Sequence, residues 1–285
     1  MTAIAPTAAV PPRRRLSLAA VAPLATLAGR RFALTVRTPR ELVVPLLTPV
    51  LFAVVIAPAL KEALGGFRNG GVDYAAFVAI ATMGLLIPLN TMFSGIGVIV
   101  DRDSGAQREL LAAPIHRRLL VLGNLSVALA VTGLQLSALI GAALLRGIDF
   151  HTSATGVVWF LAAASLLAIG MYGVAETLAN RIPRQEEYVG ALPALAIVPW
   201  FFAGSLFPIS ALPLALTWVA RALPLTHALA LMRYGLLNDH GAGLHDIWGM
   251  NNTTAMAALS LAVVAAFAAA FTAIAIRVFT RSAVS

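Results

Sequence analysis

The sequence predicts an all-α integral membrane protein with six transmembrane helices, an N-terminal interfacial helix and re-entrant outer helices between spans five and six. Of its 285 residues, 60% are hydrophobic and only 11% are charged, whereas soluble domains carry about 25% charged residues. The mean hydropathy is +0.88, and the chain has no cysteine that could build a disulfide scaffold. Apolar stretches of about 20 residues, enough to cross a bilayer, recur along the chain. The predicted spans are residues 42–60, 74–100, 119–145, 154–179, 189–207 and 253–279.

Residues 1–40 are predicted to form a cytoplasmic tail and an amphipathic interfacial helix. An arginine triplet at 13–15 precedes an apolar run at 16–28, a pattern that also fits a signal peptide. Export of this segment would carry Arg30 and Arg31 outward, and the apolar run is too short to span a bilayer. An interfacial helix whose arginines meet anionic head groups agrees better with the charges.

Residues 41–281 are predicted to form the transmembrane domain, and residues 282–285 a cytoplasmic tail. With both termini in the cytoplasm, most of the 20 basic residues fall on the inner side, as the positive-inside rule requires. The net charge of +8 is thereby explained without nucleic-acid binding. Arginine replaces lysine almost throughout, a usage typical of GC-rich bacterial genomes, so we expect a bacterial plasma membrane. The basic residues left outside are Lys61, Arg68, Arg146, Arg221 and Arg233.

Residues 208–238 are apolar but too interrupted to form a clean span. Pro213 and Pro224 break the pattern, and Arg221 and Arg233 add charge. Irregular backbone at membrane depth is tolerated only where protein or water covers it. We therefore expect two short helices that enter the membrane from outside and return.

No motif for catalysis or for binding a cofactor is found. A phosphate-binding loop needs a lysine after a glycine, but the single lysine, Lys61, follows Leu60. Zinc-site and hydrolase motifs are also missing. The Asp and His residues within 239–246 could suggest a metal site, but a solvated, glycine-bent loop explains them better. We therefore expect no metal, no cofactor and no enzyme activity in this chain, and any ATP hydrolysis must come from another polypeptide.

The loop between the second and third predicted spans is the most informative cytoplasmic segment. It reads Asp-Arg-Asp-Ser-Gly-Ala-Gln-Arg-Glu-Leu-Leu-Ala-Ala-Pro-Ile over residues 101–115. Ser104 is expected to cap a helix of about three turns that Pro114 ends. The triplet Glu109-Leu110-Leu111 would then present one charged and two exposed apolar contacts to a cytoplasmic partner. An ordinary solvated loop would satisfy the charge rule but has no need of such a helix.

Four sequence segments resemble a known family. The runs at 101–105 and 108–115 resemble the loop of ABC-2 type transporter permeases, specifically the daunorubicin-resistance-like exporter branch. Phe-Phe-Ala-Gly-Ser-Leu-Phe-Pro-Ile at 201–209 looks like that family's segment at the end of span five. The segments that look like its re-entrant outer helices are Leu-Pro at 212–213, Leu-Pro-Leu-Thr-His-Ala at 223–228 and Leu-Met-Arg at 231–233.

The resemblance covers roughly residues 16–280 and implies an exporter in which two permeases, identical or paralogous, pair around a pathway. Each permease would couple to an ABC ATPase subunit, which holds ATP and magnesium. Closure of the ATPase subunits would move the spans through a coupling helix at about 101–114, while the region 208–238 gates the outside. The residues implied in coupling are Asp101, Asp103, Gly105, Glu109, Leu110, Leu111 and Pro114, and those implied in the outer gate are Gly204, Phe207, Pro208, Pro213, Pro224 and Arg233.

The spans carry few charges, so we expect a hydrophobic or amphipathic cargo, a drug-like molecule or a lipid. Polar groups inside membranes mark pathways, and the candidates are Asn90, Thr91 and Gln135. Phe201 and Phe202 could add aromatic contacts near the outer half, although helix packing or interfacial anchoring would explain both equally well.

Two other functions stay open, a stand-alone secondary carrier and a non-transporting membrane scaffold. A carrier needs buried acids or an inverted repeat, and Glu176 is the one acid placed inside a predicted span. It could relay protons, but its position about a turn from Asn180 and Arg181 favours the membrane interface. A scaffold would give no reason for a coupling helix and an outer gate. A membrane enzyme has the least support, because no acid, base and nucleophile fall together.

Overall fold

The computed structural model describes residues 25–30, 32–33, 55, 59, 68–69, 72–112, 116–237 and 240–282. Within these residues the protein is helical, apart from its connecting turns and one short antiparallel pair of strands in which Arg68 lies opposite Asp73. The predicted helical class is therefore confirmed. The strands are β1 (Arg68–Asn69) and β2 (Val72–Asp73), and the α-helices that follow them are α1 (Tyr74–Asp103), α2 (Ala106–Ala112), α3 (Arg117–Leu145), α4 (Ala154–Ala179), α5 (Gln185–Phe202), α6 (Leu214–Ala222), α7 (Pro224–Leu237), α8 (Ala242–Trp248) and α9 (Thr253–Ser282).

Four helices in the described part of the chain, α1, α3, α4 and α9, are long and apolar enough to cross a membrane. They correspond to predicted spans two, three, four and six. The first predicted span, 42–60, lies almost entirely outside the described residues. The fifth, 189–207, is only partly right, because α5 begins at Gln185 and ends at Phe202. The count of six spans therefore stays a prediction.

The end of α5 follows from the backbone at Gly204. This residue has φ of 73°, a left-handed conformation that glycine adopts without steric cost. The chain turns away there, so residues 203–207 do not continue the helix. Hydropathy alone could not place this end, because Leu206 and Phe207 are as apolar as the helix before them.

Between α5 and α9 the chain forms a bent pair of short helices, α6 and α7, which meet at an angle of 80°. Pro213 precedes α6 and Pro224 begins α7, which are positions where the missing N–H of proline costs little. Only Ala220 of α6 is buried, whereas α7 is buried along most of its length. Two short helices are therefore present in the region 208–238, whose last residue lies outside the described part, and their entry from the outer side stays a prediction.

The centre of the fold is α4, which packs against α9, α1 and α7. Its N-terminus is capped by the side chain of Ser153, which accepts a hydrogen bond from the backbone N–H of Gly156. A Cβ added at Gly156 would lie 2.2 Å from the carbonyl oxygen of Gly235 in α7, and one added at Gly173 would lie 2.6 Å from the backbone of Phe271 in α9. Small residues let membrane helices approach this closely, so these glycines determine how tightly α7 and α9 pack on α4.

Candidate functional site

The predicted cytoplasmic loop contains a helix, α2, of seven residues, or about two turns rather than three. The expected cap is wrong: the hydroxyl of Ser104 donates to the carbonyl of Asp101 at 3.4 Å instead of accepting from α2. The redirection of the chain comes from Gly105, whose φ is 79° and whose N–H donates to the carbonyl of Arg102 at 3.1 Å. A left-handed glycine ends α1 here, and α2 starts directly after it. Pro114 lies outside the described residues.

The two leucines of α2 are not exposed, which corrects the expectation that they face a partner. Leu110 and Leu111 are half-buried and pack on an apolar cluster at the predicted cytoplasmic ends of α3, α4 and α9, which includes Leu120, Tyr172 and Phe279. The inward face of so short a helix is determined by its packing against other helices, because the spacing of apolar residues over seven positions does not define one face. The exposed charged residues around α2 are instead Asp103, Arg108 and Glu109.

A short helical segment at 25–30 lies against the same surface. Leu27 joins the apolar cluster under α2, and its Cβ lies 3.0 Å from the position a Cβ would take on Gly123 of α3. A cleft between this segment and α2 is lined by apolar side chains and by four polar residues, Arg30, Asp101, Gln107 and Asn124. The N-terminal helical segment and α2 therefore form one surface, and its cytoplasmic location stays a prediction.

Arg102, in the last turn of α1, holds the C-terminal end of α4. Its Nη1 donates to the carbonyl of Ala179 at 2.9 Å, and its Nη2 donates to the carbonyl of Pro183 at 2.8 Å. Both nitrogens also lie 3.3 Å from the carbonyl oxygen of Ile182. The last carbonyls of a helix lack intrahelical partners and carry partial negative charge, so a guanidinium satisfies them well. Sequence spacing could not reveal this contact, because its partners lie 77 to 81 residues away.

Glu176 is buried beside this contact, with 1% of its surface exposed, so its carboxylate does not face solvent, while its expected position at the membrane interface stays a prediction. The hydroxyl of Tyr172 donates to its Oε2 at 2.7 Å, and the side-chain amide of Asn180 donates to its Oε1 at 3.2 Å. The expected proximity of Asn180 is confirmed. Buried carboxylates need such donors, and these two lie four residues before and after Glu176, Tyr172 within α4 and Asn180 directly after its last residue.

At the other end of the bundle, Arg233 joins α7 to the turn after α5. Its Nη1 and Nη2 donate to the carbonyls of Gly204 and Ser205, each at 2.7 Å. The guanidinium carbon lies 3.5 Å from the ring centre of Phe77 in α1, within the range of a cation–π interaction. Two residues predicted for the outer gate, Gly204 and Arg233, are thus in direct contact.

Of the other predicted gate residues, one lies beside the contact between Gly204 and Arg233, and the other three lie elsewhere. Pro208 lines a cavity of about 230 Å³ together with Gly204 and Arg233. Phe207 is 43% exposed, and the remaining two, Pro213 and Pro224, begin the bent helices described above. On the rim of the cavity, the hydroxyl of Ser210 donates to the carboxylate of Asp246 at 3.2 Å, and Arg221 donates to the main-chain carbonyl of Asp246 at 2.9 Å.

Two of the predicted pathway residues meet between α1 and α3. The side-chain amide of Asn90 donates to Oε1 of Gln135, while Nε2 of Gln135 has no hydrogen-bond partner among the described residues. Thr91 instead donates to the carbonyl of Ile87 in its own helix at 2.7 Å. The structure does not bring the aromatic candidates, Phe201 and Phe202, into this contact.

Long apolar helices, polar contacts between them and short helices at both ends of the bundle define a multi-pass membrane protein of the permease type. The profile of the ABC-2 type transporter family matches residues 23–237, well over half of the chain. The protein therefore belongs to the ABC-2 type transporter family, whose permeases are transmembrane transport subunits. The predicted permease class is thus confirmed.

A curated relative agrees with this assignment. The chain is 26% identical to Nodulation protein J of Rhizobium leguminosarum bv. trifolii over 193 residues, which cover 65% of this chain and 70% of the relative. Membership of the daunorubicin-resistance-like branch is not shown by either comparison and stays a prediction.

Proposed function

We propose that the protein is the permease subunit of an ATP-driven ABC exporter in a bacterial plasma membrane, with both termini in the cytoplasm. It moves a hydrophobic or amphipathic compound outward, and a separate ABC ATPase subunit holds ATP and magnesium. A second copy of the chain or a paralogue completes the pathway. Family membership supports this proposal, because ABC-2 permeases normally work with an ABC ATPase subunit.

The observation that carries the proposal is the way α2 is attached. Leu110 and Leu111 anchor it on the apolar cluster, while Asp103 and Glu109 stay exposed. A helix attached to three spans transmits a displacement to them, whereas a free loop would not. We therefore assign docking of the ATPase to the exposed carboxylates, and assign positioning of α2 to the leucines and to Gly105. Asp101, in the cleft beside Arg30, and Pro114 complete the proposed coupling segment.

At the opposite end, we assign gating to the turn after α5 and to the bent pair α6 and α7. The hydrogen bonds from Arg233 to the carbonyls at Gly204 and Ser205 join this turn to α7. Phe207, Pro208, Pro213 and Pro224 belong to the same proposed gate. The proposed pathway runs past the contact of Asn90 with Gln135 and past Thr91, Phe201 and Phe202.

The first experiment is to tag the chain, extract it gently from its native membrane and identify stoichiometric partners by mass spectrometry. Recovery of a P-loop ATPase supports the exporter. Consistent recovery of the chain without an ATPase in several mild detergents overturns it and favours a secondary carrier or a scaffold. The same preparation shows whether one or two kinds of permease are present.

A charge reversal then tests the docking surface. Glu109→Arg should lower ATPase recovery at least tenfold, because the docked face would carry the opposite charge. Glu186→Arg is the matched control, since Glu186 is also exposed and lies at the start of α5 outside the coupling segment. Equal ATPase recovery with both variants would show that α2 is not the docking element.

The cargo class is tested with inside-out membrane vesicles that contain the permease and its ATPase. A fluorescent anthracycline represents a drug-like cargo and a short-chain fluorescent phospholipid represents a lipid cargo. ATP-dependent uptake of the anthracycline alone supports a multidrug exporter of the daunorubicin-resistance type. Uptake of the phospholipid alone supports lipid export.

A further inference from the structure

We propose that Arg102 is a positioning residue that ties the coupling helix to the inner ends of α4 and α5, so that a displacement of α2 moves both spans together. The inference rests on the proposed exporter function for its mechanical meaning, but the tie itself is a property of this chain alone. Arg102 lies three residues before the turn at Gly105 and four residues before the first residue of α2.

The planar guanidinium of Arg102 faces the C-terminal end of α4 and binds it with both terminal nitrogens. Its Nη1 and Nη2 reach the three carbonyls of Ala179, Ile182 and Pro183, which follow one another at the end of α4 and in the connection to α5. Its Nε donates to the carboxylate of Asp103 at 3.3 Å, which orients the group. Every nitrogen of the guanidinium therefore has an acceptor, and only a planar fork can serve several acceptors in this way.

The contacts of Arg102 reach two helices that are closely joined, α4 and α5. The connection from α4 to α5 spans only residues 180–184, so a pull on its carbonyls reaches both helices. Deeper in the bundle, the hydroxyl of Tyr188 in α5 donates to the carbonyl of Met92 in α1 at 2.6 Å. The inner ends of α1, α4 and α5 are thus joined by two sets of contacts about three helical turns apart along α1. Between α1, which contains Arg102, and α2 the chain has only the two-residue turn at Ser104 and Gly105, so α2 lies close to the contacts that join the spans.

Arg102 could have either of two roles, and both would show the same contacts. It could only stabilise the end of α4, or it could also transmit movement of α2 to α4 and α5. If Arg102 only capped α4, its loss would lower stability without separating α2 from α5. If it transmits movement, its loss leaves the ATPase docked and hydrolysing ATP while transport fails. The two roles therefore predict different distances and a different relation between hydrolysis and transport.

Distance measurements test the tie without any ATPase. The chain has no native cysteine, so Ser104→Cys and Gln185→Cys, both at exposed positions, give a clean pair of spin-label sites. In lipid nanodiscs we expect one narrow distance distribution for the chain with Arg102, and a distribution at least twice as broad with Arg102→Gln. Arg181→Gln is the matched control, because it removes the same charge from an exposed residue of the same connection, and it should leave the distribution narrow. An unchanged distribution with Arg102→Gln overturns the proposal.

Coupling is tested in the complex with the co-purified ATPase. With Arg102→Gln, ATPase recovery and ATP hydrolysis should stay within twofold of the parent, while ATP-dependent uptake of the probe that the parent transports falls at least tenfold. Arg102→Lys keeps the charge and so protects insertion, but its one compact ammonium lacks the planar fork whose two nitrogens reach these carbonyls, so ATP-dependent uptake should also fall at least fivefold. Full transport by both variants overturns the proposal. Failure to recover any ATPase would overturn the exporter function, and the distance measurement would still decide the tie.

Discussion

The hydroxyl of Tyr188 donates a hydrogen bond to the main-chain carbonyl of Met92, 2.6 Å away, across the interface between α5 and α1. The tyrosine is fully buried, and its ring passes over Gly95. A Cβ added at Gly95 would lie 2.2 Å from the hydroxyl oxygen. A buried hydroxyl without a partner is costly, so the carbonyl and the glycine together determine where α5 crosses α1.

Gly95→Ala should destabilise the protein by about 1–3 kcal/mol, because the methyl group would overpack the interface. Gly133→Ala is the control: its Cβ would meet nothing within 4 Å, and alanine favours a helix by up to about 1 kcal/mol over glycine. Thermal unfolding followed by tryptophan fluorescence in detergent measures both. Addition of Tyr188→Phe to Gly95→Ala should recover part of the loss. Equal midpoints for the two alanine variants would contradict this packing.

Hydropathy and charge predicted the spans well where a helix simply crosses the membrane. The bounds of α4 agree with the prediction because an apolar run there is flanked by Ser153, which caps its start, and by Asn180, at its end. The start of α1 at Tyr74 was also predicted. These ends coincide with changes of polarity in the sequence, which is the signal that hydropathy reads.

Features that depend on contacts between distant segments could not be predicted in this way. The inward orientation of Leu110 depends on the cluster at the ends of α3, α4 and α9, which exists only after those helices pack. The positive-inside rule treats Arg102 only as a cytoplasmic charge, whereas its contacts are with main-chain carbonyls, which carry no side-chain signal. The end of α5 depends on the backbone at Gly204, and Phe207 continues the apolar pattern beyond it.

Gly204→Ala tests the turn that begins the proposed gate. A left-handed φ costs a non-glycine residue about 1–2 kcal/mol, and the new Cβ would also lie 2.7 Å from Cγ2 of Ile209. Gly249 is the matched control, since its φ of 65° is also left-handed but its Cβ would meet nothing within 4 Å. We expect Gly204→Ala to be less stable than Gly249→Ala by about 1–3 kcal/mol from overpacking, measured as the difference in free energy of unfolding in a denaturing-detergent titration. Two equal losses would show that the contact with Ile209 relaxes freely.

The contact of Asn90 with Gln135 allows a test that separates packing from transport. Asn90→Leu alone removes the partner of a buried amide, which costs about 1–2 kcal/mol inside a membrane bundle, whereas Asn90→Leu combined with Gln135→Leu removes both polar groups and should recover near-parental stability. If the pair lines the pathway, the stable double variant should lose at least tenfold of ATP-dependent probe uptake in vesicles, an effect of about 1.4 kcal/mol or more on the transport barrier. Ser137→Ala is the control, because its hydroxyl donates to the carbonyl of Gly133 in its own helix. A double variant that is stable and transports at the parental rate would show that the two amides hold α1 to α3 and take no part in the pathway.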